Sequence, residues 1–369
     1  MRSATLAVIG LALLTPAAGA APPPATLQCG DVVTTDTLLA NDLSCGSSYQ
    51  AALTIGAPGI TLGLGGHKIV ASRVGVLNEG HDGVTIRNGE LVTEEGGVEL
   101  IGVTGNVVRD LEVGGLFEAI TLRDSDGNRI VHNTTVSNHI ALREGSDRNT
   151  VARNVVTRYE SHLVVEDSVE NRIVDNIAWT EDSDTLILRR AHRNTVRGNT
   201  LVTSSGSSLI SMTASNANEV VDNLIVEHEG FLPAGPAVVL DGSNRNLFAR
   251  NTLSNVPLGI WVRSGNANVL RRNVATGKHY EGFETVERQP DGFLVAAAAQ
   301  RTILDGNTAT GFDDDGFTLY GARNEVGGNT ANDNGDYGIE ASPPAIDLGG
   351  NRASGNGNPT AQCVGVVCQ

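Results

Sequence analysis

An all-β fold, a right-handed parallel β-helix of about 13 rungs with disulfide-stapled ends, is what this 369-residue sequence predicts. Three observations support the prediction: a column of Asn that recurs about every 22 residues, a second column of apolar–any–apolar triplets, and a composition rich in turn formers. Gly contributes 44 residues, whereas aromatic residues make up only 4%. The hydrophobic fraction of 40% is large enough to form a core, which excludes wholesale disorder.

The Asn column has the form Asn, any, apolar, any, any, Asn, as in residues 171–176 and 194–199. Its second position reads Asn88, Asp110, Asn133, Asn154, Asn176, Asn199, Asn223, Asn251, Asn273, Asn307, Asn329 and Asn351. Asn suits the corners of a solenoid because it tolerates left-handed backbone and because its amide can stack on an Asn one turn away.

The triplet column supplies the strands, for example at residues 120–122, 186–188, 260–262 and 317–319. Alternation over such short runs is typical of β-strands. Successive strands should pair in parallel about 4.8 Å apart, and the crossover rule makes the winding right-handed. No segment between the columns is long or periodic enough for a helix, which disfavours a leucine-rich repeat.

The ends of the chain indicate export. Residues 1–20 have the charge, the apolar run and the small cleavage residues of a secretory signal, so we expect a secreted or periplasmic protein without a membrane span. Residues 21–58 are predicted to form a linker and N-terminal cap, residues 59–355 the β-helix, and residues 356–369 a C-terminal cap.

Four cysteines lie at the ends of the mature chain, and they allow three pairings. In an oxidising compartment we expect the local pairing, Cys29 with Cys45 and Cys363 with Cys368, at ends where exposed strands need protection. A metal site is the alternative, which the absence of CxxC spacing disfavours. The net charge of −16 argues against a nucleic-acid partner. It also disfavours polyanionic substrates unless a cation or a local Arg cluster helps.

The two columns resemble those of the secreted right-handed parallel β-helix repeat family, which includes NosD-type periplasmic proteins and pectin-lyase-like carbohydrate-binding and sugar-hydrolysis domains. The resemblance covers residues 27–355, although Gly63 and Gly65 depart from the usual first rung. It implies a polysaccharide or cell-surface glycan as partner and, for an enzyme, lyase, glycoside hydrolase or epimerase chemistry. Two other functions stay open: a non-catalytic structural or adhesive surface protein, and a periplasmic accessory factor of NosD type.

One candidate site surrounds Trp261. The middle residue of each triplet should point outward, and an exposed Trp is a suitable platform for a sugar ring. Insertions near residues 229–236 and 277–290 are expected to wall a cleft around it, unless they simply cover Trp261 as a small satellite core. The predicted substrate-binding residues are Trp261, Arg263, Tyr320 and Tyr337.

Carboxylates enter the strands beside this face. Asp291 and Asp315 should lie one rung, about 5 Å, apart, at which distance one pKa rises and acid–base chemistry becomes possible. The predicted catalytic residues are Asp291, Asp315, Lys278 and His279. Asp313 and Asp314 are candidate ligands for calcium, the one cofactor considered, because it prefers oxygen donors. Ordinary turn chemistry is the alternative for all these aspartates.

A secondary candidate lies nearer the N-terminus and consists of Glu118, His139, His162 and Asp184, with Arg123, Arg143 and Arg189 along the same strands. A His pair flanked by carboxylates can shuttle protons or bind a divalent metal, and the arginines can hold an acidic sugar. The alternative is a solvated ladder of ion pairs without a function in catalysis.

Overall fold

The computed structural model describes residues 22–136, 139–159, 162–181, 183–204, 208–228, 235–278 and 290–369. Over these ranges the chain forms a parallel β-solenoid of about 14 turns without helices, so the predicted fold class is confirmed with about one turn more than expected. No helix in the described part of the chain is long and apolar enough to cross a membrane.

Each turn contributes strands to two sheets, A and B. Sheet B has 15 strands, each pairing in parallel with the strand one turn later. Its strands are Asp31–Val33, Ala51–Ile55, Val74–Glu79, Gly96–Ile101, Glu118–Arg123, His139–Arg143, Leu163–Glu166, Leu186–Arg189, Ile210–Thr213, Val238–Asp241, Ile260–Asn266, Phe293–Gln300, Phe317–Leu319, Ile339–Ala341 and Cys363–Val364.

Sheet A consists of two parallel ladders, A1 and A2, which share the long strands Thr85–Thr93 and Val107–Gly115. Ladder A1 also contains Pro24–Ala25, Thr37–Leu39, Thr61–Gly63, Arg129–Val131, Thr150–Ala152, Arg172–Val174, Thr195–Arg197, Glu219–Val221, Leu247–Ala249, Val269–Arg271, Ile303–Asp305, Glu325–Gly327 and Ile346–Gly349. Ladder A2 also contains Leu43–Cys45, Lys68–Ala71, Thr134–Val136, Val155–Thr157, Ile177–Thr180, Thr200–Thr203, Leu224–Glu227, Thr252–Val256, Val274–Gly277, Thr308–Thr310, Thr330–Asn332 and Arg352–Ser354.

One apolar core runs along the axis between the sheets, because each short strand turns its middle or flanking apolar residues inward. In ladder A1, for example, Ile130, Val151 and Ile173 are buried in three successive turns. The residues on either side of these positions point outward, so each turn adds one residue to every outer column. Side chains on the surface are therefore stacked at the strand spacing of about 4.8 Å.

Buried Asn side chains form ladders between the turns. The Nδ2 of Asn154 donates to Oδ1 of Asn176 at 3.0 Å, and the Nδ2 of Asn176 donates to Oδ1 of Asn199 at 3.0 Å. The same Oδ1 of Asn176 accepts the backbone N–H of Asn154 at 2.9 Å. The predicted stacking of Asn amides from turn to turn is thus confirmed.

The left-handed backbone expected of these Asn residues lies one position earlier. Arg153, Asp175 and Gly198, which precede three ladder residues, have φ values of 56°, 55° and 66°. The first two members of the predicted column were wrongly assigned to the ladder position. Asn88 and Asp110 are themselves left-handed, with φ of 61° and 57°, and so lie in the preceding column.

Both ends of the solenoid carry the predicted local disulfides, Cys29–Cys45 and Cys363–Cys368. Parallel pairing runs through both end segments. Pro24–Ala25 pairs with the strand Thr37–Leu39, and Cys363–Val364 pairs with Ile339–Ala341. The disulfides therefore close loops next to the terminal strands, whose outer edges have no further turn to pair with in the described chain.

Replacing Asn199 with Ala tests the amide ladder. Its Oδ1 accepts the backbone N–H of Asn176 at 2.9 Å, and its Nδ2 donates to the backbone oxygen of Ile173 at 2.8 Å. The change leaves both buried backbone groups unpaired, so we expect the free energy of unfolding to fall by about 3 kcal/mol in chemical denaturation. The exposed control Glu219→Ala should change it by less than about 0.5 kcal/mol. A loss at Asn199 no larger than that of the control would contradict the role of the ladder.

Candidate functional site

The outer face of sheet B, called face B below, carries the predicted column of outward residues. In register these are Thr121, Ala141, Val164, Ile187, Ser211, Val239, Trp261, Leu294, Thr318 and Glu340. The structure extends the column by one turn to Glu99, which pairs with Thr121. Several of them, such as Thr121, Leu294 and Thr318, are nevertheless buried, because neighbouring side chains cover them. Face B is therefore only partly open, and its titratable groups gather in two places, around His139 and around Asp291.

Trp261 lies in a small apolar patch near the C-terminal end of face B. It packs with Tyr320 against the buried residues Leu258 and Leu294, which form a satellite cluster apart from the main core. The guanidinium of Arg263 lies 5.6 Å from the centroid of the Trp261 ring, within the range of a cation–π contact. Substrate binding by these residues stays a prediction. The expected cleft walls at residues 229–234 and 279–289, and with them His279, lie outside the described residues.

The aspartate corner, formed by Asp291, Asp314, Asp315 and Asp336, adjoins this patch. Asp291 and Asp315 are buried, with exposed fractions of 0% and 2%. Oδ1 of Asp291 accepts the backbone N–H of Asp315 at 3.0 Å, and Oδ1 of Asp315 accepts that of Tyr337 at 2.7 Å. Each carboxyl group therefore supports the backbone of the next turn.

Burial controls the protonation of these two groups. It raises the pKa of Asp315 to about 7. It raises the pKa of Asp291 well above the usual range, and the charges on Asp315 and Asp314 raise it further. The shift of Asp291 therefore favours its protonated form, and Asp315 titrates near neutrality. Both are shielded from solvent, so their predicted catalytic role stays a prediction. Lys278 is half-buried after Val274–Gly277, and its backbone N–H donates to the oxygen of Val256 at 3.2 Å.

The corner also brings three carboxylates together. Oxygen atoms of Asp314, Asp315 and Asp336 lie within 4.8 Å of one another, the one such group of potential metal ligands in the described part of the chain. Asp336 rather than Asp313 completes the group, because its backbone N–H donates to the oxygen of Asp314 one turn earlier at 3.0 Å. Asp336 was not predicted as a ligand, although its spacing of 22 residues from Asp314 is a signal in the sequence that could have identified it.

The histidine cluster lies toward the N-terminal end of face B. The rings of His139 and His162 stack with centroids 4.4 Å apart, as expected for equivalent positions on neighbouring turns. The backbone N–H of His162 donates to Nδ1 of His139 at 3.2 Å, and Nδ1 of His162 contacts the backbone oxygen of Asp184. Both Nδ1 atoms are thus engaged by backbone, which disfavours chelation of a metal by the pair.

Charged residues surround the histidines in an ion-pair network. Glu118 pairs with Arg143 at 2.9 Å and with Arg123 at 3.3 Å, and Arg143 also reaches Glu166 at 3.5 Å. The network still leaves an open cavity of about 410 Å³, lined by Glu95, Glu99, Phe117, Glu118, Arg123, His139 and Arg143. Glu95, Glu99 and Phe117 were not identified from sequence, although Gly96 pairs with Glu118 and so brings its neighbours to the same place.

The cavity favours a neutral imidazole. Burial, followed by the positive charges of His162 and Arg143, lowers the pKa of His139 to about 4. Burial also raises the pKa of Glu99 and of Asp184, whose carboxylate accepts the backbone N–H of Ser208 at 2.9 Å. At neutral pH the cavity therefore presents an unprotonated histidine beside the Arg143 guanidinium.

Comparisons with known proteins agree with the fold. The family model described as periplasmic copper-binding protein (NosD) matches residues 64–231, and the model described as right handed beta helix region matches residues 231–367. The predicted resemblance to right-handed parallel β-helix repeat proteins is confirmed by these two matches. No curated protein matches the sequence.

Solved structures are similar to this chain at low identity, and the first of the three described below, with a TM-score above 0.5, shares its fold. A complex of alginate lyase AlyF-OU02 with G6 is 11% identical, with a TM-score of 0.59 over 93% of this chain and 83% of that one. The mannuronan C-5 epimerase AlgE6 A-module of Azotobacter vinelandii is 13% identical, with a TM-score of 0.41 over 91% of both chains. The Dettilon tailspike protein (gp208) is 13% identical, with a TM-score of 0.42 over 79% of this chain, which spans 62% of the tailspike's length.

The variant Asp315→Asn tests the burial of charge at the aspartate corner. A carboxyl group whose pKa is higher in the folded than in the unfolded state lowers the free energy of unfolding as the pH rises. For Asp315 this loss occurs between pH 3.8, the usual pKa, and about pH 7, the pKa in the folded protein. The Asn side chain preserves an acceptor for the backbone N–H of Tyr337 and a polar partner for Thr318. It carries no charge, so it removes the cost of burying one. We expect a gain of roughly 2–4 kcal/mol at pH 8 and almost none at pH 4, measured by chemical denaturation.

The exposed control Asp333→Asn should change the unfolding free energy little at either pH. An equal effect of Asp315→Asn at pH 4 and pH 8 would show that its carboxyl group does not titrate between them.

Proposed function

We propose that the protein is exported and binds and processes an acidic polysaccharide along face B, with its reactive centre at the histidine cluster. The open cavity beside His139 is the observation that carries this proposal. It is the place on face B, within the described chain, where an unprotonated imidazole, a guanidinium and space for a sugar ring come together.

The chemistry available there is proton abstraction next to a carboxylate, the first step of lyase and epimerase reactions. His139 is neutral at pH 7, and because its Nδ1 accepts the His162 N–H, the ring proton lies on Nε2. Nε2–H can therefore donate a hydrogen bond to the sugar carboxylate. Glu99, which lines the same cavity and whose pKa is raised by burial, is the base in this proposal. Arg143 would stabilise the negative charge that develops on the sugar carboxylate. Glu118 holds Arg143 in place through its 2.9 Å ion pair.

The shape of face B suits a polymer. Its column continues from the histidine cluster through the half-buried residues Ile187, Ser211 and Val239 to Trp261. A chain lying across these turns would meet the reactive cavity at one end and the Trp261 patch at the other. The fold shared with an alginate lyase supports a polysaccharide as the class of substrate.

Export rests on two observations. Both disulfides need an oxidising compartment, and the NosD model that matches residues 64–231 describes a periplasmic family. The predicted signal at residues 1–20 lies outside the described chain. The same family match makes a periplasmic accessory factor the second candidate function, which tight copper binding by the protein would support.

Calcium is the cofactor that we propose for the aspartate corner. Carboxylates of Asp314, Asp315 and Asp336 are hard oxygen donors of the kind that Ca²⁺ prefers, and the buried Asp291 has an oxygen without a hydrogen-bond partner among the described residues. A bound ion would supply positive charge beside face B, to which a sugar carboxylate could bind.

If calcium binds at this corner, excess calcium should raise the melting temperature at pH 8 by a few degrees, and a chelator should reverse the change. The variant Asp336→Asn, which removes one ligand charge, should lose the response, whereas Asp333→Asn should keep it. An equal response from both variants would place the ion elsewhere.

His139→Gln tests the reactive centre. Purified protein would be assayed over a panel of acidic and neutral polysaccharides for unsaturated products, new reducing ends and epimerised residues. On the substrate found, we expect kcat/KM to fall by about 100-fold or more, because the imidazole Nε2–H that donates to the developing negative charge is lost. In the unaltered protein, kcat/KM should fall as the pH drops through the raised pKa of Glu99, because the base is then protonated.

The matched control is His192→Gln, since Nδ1 of His192 also accepts a backbone N–H, that of Asn216, at 3.0 Å. It should retain full activity. No product from any polysaccharide in the panel would overturn the catalytic proposal in favour of a structural or adhesive protein.

A further inference from the structure

A second surface, on the opposite sheet, concentrates positive charge in this acidic protein. Two adjoining cavities of about 210 and 530 Å³ lie on the outer face of ladder A1 and share Arg129, Val131 and His132. We call them together the arginine groove, whose charged lining consists of Arg87, Arg109, Arg129, Arg153, Arg172 and Asp175.

The register of ladder A1 creates the groove. Val131, Ala152 and Val174 occupy equivalent positions in three successive turns and form an apolar floor. Arg129 and Arg172 lie two residues earlier in their strands and so point to the same side. Arg153 is in the corner that follows, where its left-handed backbone, with φ of 56°, places it across the floor from them.

The charges of the groove are poorly compensated. Five arginines and one carboxylate, that of Asp175, line it, although the protein as a whole has a net charge of −16. Arg109 forms an ion pair with Asp110 at 2.5 Å, but no described carboxylate forms one with Arg129, Arg153 or Arg172. By contrast, further along the same side of the solenoid, Arg250 pairs with Asp222 at 2.6 Å and Arg271 with Asp305 at 2.9 Å.

We propose that the arginine groove binds a linear polymer of acidic sugars, independently of the site on face B. Its arginines follow the axis over five turns, a span of about 20 Å, so a chain with regularly spaced carboxylates can meet a guanidinium at successive turns. The apolar floor fits the C–H face of a sugar ring. An anionic membrane is disfavoured, because the arginines flank a recessed floor and the rest of the surface is acidic.

The test uses the double variant Arg129→Gln/Arg172→Gln in the His139→Gln background, so that cleavage at face B does not interfere. The probe is a polygalacturonate oligomer long enough to span five turns, with binding measured by calorimetry. We expect its affinity to fall about tenfold, because two exposed guanidinium contacts are lost, and its dependence on salt to weaken. Both positions are exposed, so the fold should persist.

The matched control is Arg193→Gln/Arg250→Gln, which removes the same charge from arginines already paired with Glu170 and Asp222. Its affinity should stay within about twofold of the parent. Equal loss in both double variants, or no loss in either, would overturn the proposal. Stronger binding to polyaspartate or to anionic phospholipid vesicles than to polygalacturonate would assign the groove to a different partner.

Discussion

The hydrogen bonds between buried Asn side chains are the interaction on which the rest of this solenoid depends. At each corner the chain turns inside the protein, where its backbone groups cannot reach water, and an unpaired buried group costs about 1–3 kcal/mol. Asn199 satisfies two such groups, on Asn176 and Ile173, and donates to the next Asn as well. A one-residue slip of any turn would break these bonds and would also turn the core positions outward.

Fixed register has a direct chemical consequence, because it stacks equivalent side chains at the strand spacing of about 4.8 Å. Like charges at that distance repel, and a column can reduce the repulsion by shifting its members toward the neutral form or by pairing them with opposite charges. Burial, together with like charges nearby, shifts the pKa values of His139 and Asp291 toward the neutral form. Glu118 and Arg143 instead form an ion pair. Stacking at this spacing therefore contributes to the shifted pKa values of both the histidine cluster and the aspartate corner. The two differ in access to solvent, because His139 lines an open cavity whereas Asp291 is buried.

The sequence predicts the fold well, because one turn per repeat leaves a visible period. It assigns columns less reliably: Asn88 and Asp110 have the right residue types but lie one position before the ladder, since neighbouring corner positions both accept Asn. The burial of Asp291 and Asp315 was not predictable, because it depends on which side chains cover face B. The alternating charges around Glu118 were predicted from the sequence. Glu95 and Glu99, which line the same cavity, were not, because their turn lacks the Asn motif that aligns the other turns.

Net charge was a weaker guide to partners than the arrangement of charges in columns. At physiological salt, charges further apart than about 8 Å are largely screened, so a polymer in the arginine groove experiences mainly Arg129, Arg153 and Arg172. The acidic residues that dominate the total lie elsewhere, and many of them are paired with arginines along the same columns. A solenoid can therefore keep a net charge of −16 and still present a strip of unpaired guanidinium groups, because each column is free to vary in sequence while the buried ladder stays the same.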